Sequence, residues 1–265
     1  MDKFFTIDMT DGSSQRRLHL SDPTQGYGLD LGIETGTLES FFSFENRALG
    51  TATEQSARFY SDGANWAFEA EIAFETASVM LCETGAATAM GGHRNLQLRA
   101  RGASSLMDCV QRFVIPKSEV KTARIGTKVI PHKRRNFYHQ FPAEEVALTL
   151  QSGAVLRFTP DLIPLPKGFA HMVYLRDEPD AWILHFRALA LAPDRYVLKG
   201  CSRWFNRPVP KAVQNVVFAI PGLRDGLLYI RERLSQRIPF QVNGAVDMML
   251  DDVLELSVRW RVEDA

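Results

Sequence analysis

The feature that most constrains this chain is an alternation of apolar and polar residues with a period of two. Trp66, Phe68, Ala70, Ile72 and Phe74 are separated by Ala67, Glu69, Glu71 and Ala73, with Glu75 following. Near the other end, Leu254, Leu256, Val258, Trp260 and Val262 are separated by Glu255, Ser257, Arg259 and Arg261. Leu96, Leu98 and Ala100 alternate in the same way with Gln97, Arg99 and Arg101. Successive side chains leave a strand on opposite faces, so this pattern builds antiparallel sheet with one apolar and one wet face. A helix would scatter the same apolar residues around its circumference.

Further strands are expected at 37–45, 77–82, 107–115, 120–130, 145–150, 154–159, 169–176, 181–190, 195–200, 213–220 and 238–243. Turn signals separate several of them: Asp62-Gly63, Ser152-Gly153, the run 176–180 and Asn243-Gly244. Asp251-Asp252 also reads as a turn. One helix is expected over 221–236, where Leu223, Leu227, Ile230 and Leu234 recur at helical spacing behind Pro221. The predicted fold is therefore all-β, an antiparallel sandwich or barrel with one or two short helices. A chain of 265 residues with 45% hydrophobic content can bury its core as one domain over 1–265. The alternative is a split near the Pro-rich stretch 159–168 into two β halves.

Cys82, Cys109 and Cys201 are odd in number and widely spaced, which fits buried thiols better than a disulfide framework or a zinc site. Asp2 and Asp8 interrupt the apolar run an export signal needs, and no apolar stretch reaches the ~18 residues of a membrane span. A cytoplasmic location without membrane contact is the resulting expectation.

Lys and Arg number 31, as do Asp and Glu, which argues against a dedicated nucleic-acid binder. The balance is uneven along the chain. Residues 1–100 hold 7 basic and 14 acidic side chains, and residues 101–140 hold 9 basic and 2 acidic. The basic segment carries Lys117, Lys121, Arg124, Lys128, Lys133, Arg134 and Arg135, followed by Phe137, Tyr138 and His139. Cations beside aromatic faces suit an anionic or sugar-like ligand. The plainer reading pairs this segment with Glu69, Glu71 and Glu75 as a solvated face.

Three other constellations bear on chemistry. His132, Tyr138 and His139 could serve as acid and base near an Arg. A hairpin of 169–176 with 181–190 would bring His171 toward His185 and put His185 and Arg187 on one face. The run Gly85–Arg94 reads as a loop whose Gly91-Gly92-His93-Arg94 end offers backbone donors to an anion, although it is no nucleotide fingerprint. No metal site and no cofactor motif is expected. The candidate ligand-binding residues are Lys133, Arg134, Arg135, Tyr138, His139, His185 and Arg187. The function expected from them is binding of an anionic or sugar-like small molecule, with 17 Phe, 6 Tyr and 4 Trp available to line a site. The alternatives are a lyase, isomerase or hydrolase on the same scaffold, using His, Tyr, Arg and Lys, and a structural or assembly protein.

Overall fold

The computed structural model describes residues 6–11, 16–22, 27–47, 50–88, 90–130, 137–200, 208–233 and 240–264. Its strands in chain order are β1 (Thr6–Asp11), β2 (Arg16–Asp22), β3 (Tyr27–Gly36), β4 (Phe41–Ser43), β5 (Thr53–Ser61), β6 (Asn65–Ala73) and β7 (Ser78–Thr88). They continue as β8 (Gly91–Ala100), β9 (Ser104–Leu106), β10 (Asp108–Pro116), β11 (Val120–Ile125), β12 (Lys128–Ile130), β13 (Phe137–Pro142) and β14 (Val146–Leu150). The last are β15 (Val155–Asp161), β16 (Phe169–Asp177), β17 (Ala181–Ala190), β18 (Arg195–Gly200), β19 (Phe240–Met248) and β20 (Val253–Glu263). Two helices, α1 (Lys211–Ala219) and α2 (Leu223–Arg233), lie between β18 and β19.

An eight-stranded sheet runs β1-β2-β3-β10-β17-β16-β13, with β4 paired to β3. A nine-stranded sheet runs β12-β11-β14-β15-β20-β8-β7-β6-β5, and a small third sheet runs β18-β19-β9. The pairing is antiparallel, as between β16 and β17 or β20 and β8. The two large sheets pack face to face. Phe113 of β10 meets Phe158 of β15 at 5.0 Å and Trp260 of β20 at 5.8 Å between ring centroids. The fold is thus the expected all-β antiparallel sandwich, with two short helices.

The alternation translates directly into this core. Trp66, Phe68, Ala70 and Ile72 of β6 are buried, as are Leu254, Leu256, Val258, Trp260 and Val262 of β20. The main apolar cluster draws residues from Leu18 to Val262, on both sides of the stretch 159–168, which crosses from one large sheet to the other. A smaller cluster of Leu198, Leu228 and Val242 joins α2 to the third sheet. No helix among the described residues is long and apolar enough to cross a membrane.

Several local expectations are corrected. Residues 213–220 fall mostly in helix α1 and not in a strand, because a short apolar run such as Val213, Val216, Val217 and Ile220 fits helical spacing equally well. The expected loop in 85–94 is instead largely strand: Gly85–Thr88 of β7 pairs with Gly91–Arg94 of β8. Gly85 and Gly92 pass where a Cβ would overlap the indoles of Trp66 and Trp260, so these glycines serve packing. Asn243-Gly244 lies inside β19 and not at a turn, and Gly244 is needed because a Cβ there would overlap the Pro193 ring. The basic strand and Glu69, Glu71 and Glu75 do not face one another. β11 and β6 stand at opposite ends of the nine-stranded sheet.

Candidate functional site

The ladder registers of the eight-stranded sheet assemble a polar face on the side away from the nine-stranded sheet. Directly opposed residues in an antiparallel ladder share a face. One row across the sheet reads Gly32, Arg112, His185, Tyr174, Gln140. Its neighbour on one side reads Glu34, Val110, Arg187, Met172. The neighbour on the other reads His19, Asp30, Val114, Ile183, Arg176. Rows on the same face are about 7 Å apart along the strands.

This outer face is charged and yet largely withdrawn from water. The side chains of Arg112, Glu34, Arg187 and Asp108 are only 11–22% exposed. Arg112 Nη1 donates to Glu34 Oε1 at 3.0 Å, and its Nη2 pairs with Glu45, which follows β4. Arg187 donates to Asp108 at 2.6 Å. The Tyr174 ring lies 5.1 Å from the imidazole of His185. Toward the sheet edge His19 Nδ1 sits 2.6 Å from Asp30, which also accepts from Arg17 at 2.8 Å.

Burial shifts the titration of these groups. It raises the Glu34 carboxyl to about 7, against the opposing pull of Arg112. It raises Glu45 as well, again with Arg112 opposing. His185 is pushed well below its ordinary range, first by burial and then by Arg112, Arg187 and Arg176. The imidazole is therefore neutral at physiological pH. Its buried Nε2, like the Nε of Arg112 and of Arg187, has no hydrogen-bond partner among the described residues. Buried polar atoms are nearly always paired in a folded chain, so such a concentration marks a place where a ligand can supply partners.

The residues expected from the sequence distribute unevenly. His185 and Arg187 do share this face. Lys133, Arg134, Arg135 and His132 lie outside the described residues. Tyr138 takes the register position opposite Arg176, and His139 the one opposite Leu175. His171 does not approach His185. The hairpin sets His171 opposite Ala188 and His185 opposite Tyr174, and His171 Nε2 instead donates to the Ile163 carbonyl at 2.6 Å.

The basic segment also divides. Lys117 is buried against Asp177 and the Glu178 carbonyl, under the Trp182 ring at 5.1 Å. Lys121 and Arg124 are exposed, and Lys128 lies over Phe141 at 4.7 Å. His93 and Arg94 part company too: His93 is exposed beside an open depression of about 550 Å³, and Arg94 is fully buried. The arginines of that depression are matched by carboxylates, Arg157 and Arg261 by Glu263 at 2.7 Å and Arg259 by Asp161 at 2.6 Å.

Sequence reasoning missed Glu34, Glu45, Asp108, Arg112 and Tyr174. The signal for Glu34 was present. In 27–36 the apolar Tyr27, Leu29, Leu31 and Ile33 alternate with Gly28, Asp30, Gly32 and Glu34. Arg112 likewise interrupts the apolar run 109–115 at an outward position.

No family model matches the chain, and no curated protein matches it. Among solved structures it is similar to one from Escherichia coli K12 described as a "putative aldose 1-epimerase". The likeness spans 98% of this chain and 100% of that one, at 9% identity and a TM-score of 0.49.

Proposed function

We propose that the outer face of the eight-stranded sheet binds a small sugar-like or anionic molecule. One observation carries this reading. The registers line up Arg112, His185 and Tyr174 in a row beside Glu34 and Arg187, and the Nε2 of His185 and the Nε of both arginines are buried without partners among the described residues. A molecule rich in hydroxyl groups both donates and accepts, as this mixture of guanidinium, carboxylate and imidazole requires. Tyr174 adds an aromatic flank, and the arginines suit a carboxylate substituent.

A second reading, proton transfer on the bound molecule by a lyase or isomerase, is favoured by Glu34 and His185. Glu34 ionises near pH 7 and can hold or release a proton there, and His185 is a neutral base. They stand on β3 and β17 with β10 and its Arg112 between them.

The test is calorimetric titration with a neutral hexose, a hexuronate and a hexose phosphate. At least one class should bind the wild-type chain, and His185→Ala and Arg187→Ala should each weaken it about tenfold or more. Failure of all three to bind at millimolar concentration, or binding indifferent to both substitutions, would overturn the reading. Proton transfer would show as deuterium appearing on ligand carbon in D2O, lost in Glu34→Gln.

A further inference from the structure

Beneath this face, inside the sandwich, lies an ion pair with almost no access to water. Arg94 of β8 and Glu83 of β7 are 0% and 2% exposed. Arg94 Nη2 donates to Glu83 Oε2 at 2.7 Å and Nε to Oε1 at 3.3 Å, and Trp66 Nε1 donates to the same carboxylate at 3.1 Å. The guanidinium then crosses the interior to the other sheet. Nη1 donates to the Arg112 carbonyl at 2.7 Å and Nη2 to the Gly32 carbonyl at 2.9 Å. Arg112 and Gly32 face each other in the β3–β10 ladder. The Phe113 ring stacks on the guanidinium at 4.9 Å.

The other side of Gly32 is occupied by Glu45. A Cβ at position 32 would overlap the Glu45 carboxylate, so glycine is what lets that group lie flat on the sheet. The Glu45 carboxylate and the Arg94 guanidinium therefore sit on opposite sides of one peptide. An ion pair this deep is an expensive way to fasten two sheets, because its charges must be taken out of water and apolar residues of similar volume often fasten them at equal or lower free energy.

We propose that Arg94, anchored by Glu83, is a positioning residue for the outer-face site: from below it fixes the Gly32–Arg112 step and balances the Glu45 carboxylate through the sheet. The inference rests on the ligand-binding reading of that face. The charged groups that act on Glu45 from the outer face are Arg112 on β10, with which it pairs, and Glu34 on β3. Arg16 at the start of β2 donates its backbone N–H to the Glu45 carbonyl at 3.1 Å but directs its own charge to Glu54. Arg94 is the cation that approaches from the far side.

The test reads the Glu45 carboxyl directly, by ¹³C NMR titration of the ligand-free chain, in Arg94→Met/Glu83→Leu and in Arg94→Lys. Removing the buried charges should move the Glu45 midpoint up, and Arg94→Lys, which keeps the cation, should hold it near the wild-type position. If the apolar pair does not fold, Arg94→Gln/Glu83→Gln removes both charges while keeping hydrogen-bonding groups, and the same upward movement is expected. An unmoved midpoint in the folded charge-free variant overturns the inference. A midpoint that moves in a chain binding none of the three sugar classes overturns the functional reading instead. Where the wild-type chain binds, the charge-free variant should lose about tenfold in affinity, the scale on which groups supporting a ligand shell act. A lowered melting temperature with full affinity would reduce Arg94 to a fastener of the sheets and overturn the inference.

Discussion

Glu34 offers a prediction whose size follows from its surroundings. In the unfolded chain its carboxyl ionises at 4.5, and in the folded chain at about 7, because burial outweighs the help of Arg112. Below pH 4.5 both states are protonated and Glu34 leaves stability unchanged. Between 4.5 and 7 the folded chain holds a proton that the unfolded chain has released, so stability falls as pH rises across that window. Each pH step costs about 1.4 kcal/mol, and the whole interval amounts to about 3 kcal/mol. Glu34→Gln removes the titration and keeps a neutral amide beside Arg112. Urea unfolding at pH 5, 6, 7 and 8 should therefore show a stability gap that opens in favour of the variant, toward about 3 kcal/mol at pH 8. His185 acts in the opposite direction. Its depressed titration removes stability as pH falls through its ordinary range near 6.5, and this tilts wild type and variant alike. Glu45 is raised for the same reason as Glu34 and also affects both curves. The difference between the curves therefore reports Glu34 together with its coupling to Glu45, whose charge raises it. Parallel curves from pH 5 to 8 would refute the argument that this carboxyl is held out of water.

Two further outcomes concern the core. Trp66→Ala and Trp260→Ala, whose indoles lie 6.4 Å apart between the sheets, should each cost ~3–5 kcal/mol in chemical unfolding, and an unchanged melting temperature in both would contradict their placement. We propose that the chain unfolds as one unit, since the main cluster joins residues from Leu18 to Val262. Coincident transitions by tryptophan fluorescence and far-ultraviolet circular dichroism are the expected result, and two separated transitions would favour division near 159–168.

What was legible in the sequence was whatever depends on period alone. Strands β6, β8, β17 and β20 bury the faces their alternation marks, with Trp182, Leu184 and Phe186 inward and His185 and Arg187 outward on β17. What stayed hidden depends on which strand lies beside which. Strand β3 carries Gly28, Gly32 and Gly36 at its outward positions, which weakens its strand signal, yet Gly32 is the residue that admits Glu45 to the face. The distance between His171 and His185 turns on a short connection at 178–180, which sets Asp177 opposite Trp182 and fixes every pair behind it. The charge pattern shows the same limit most sharply. The acidic first hundred residues and the basic segment do meet in space, but through Glu34 and Glu45 on Arg112 and not through Glu69, Glu71 and Glu75. Arg112 is one of nine cations between 101 and 140, and composition treats them as equal. It becomes distinct because the β3–β10–β17 ladder seats it between two carboxylates and an imidazole, a neighbourhood made by residues some seventy positions away on either side and specified by no local motif.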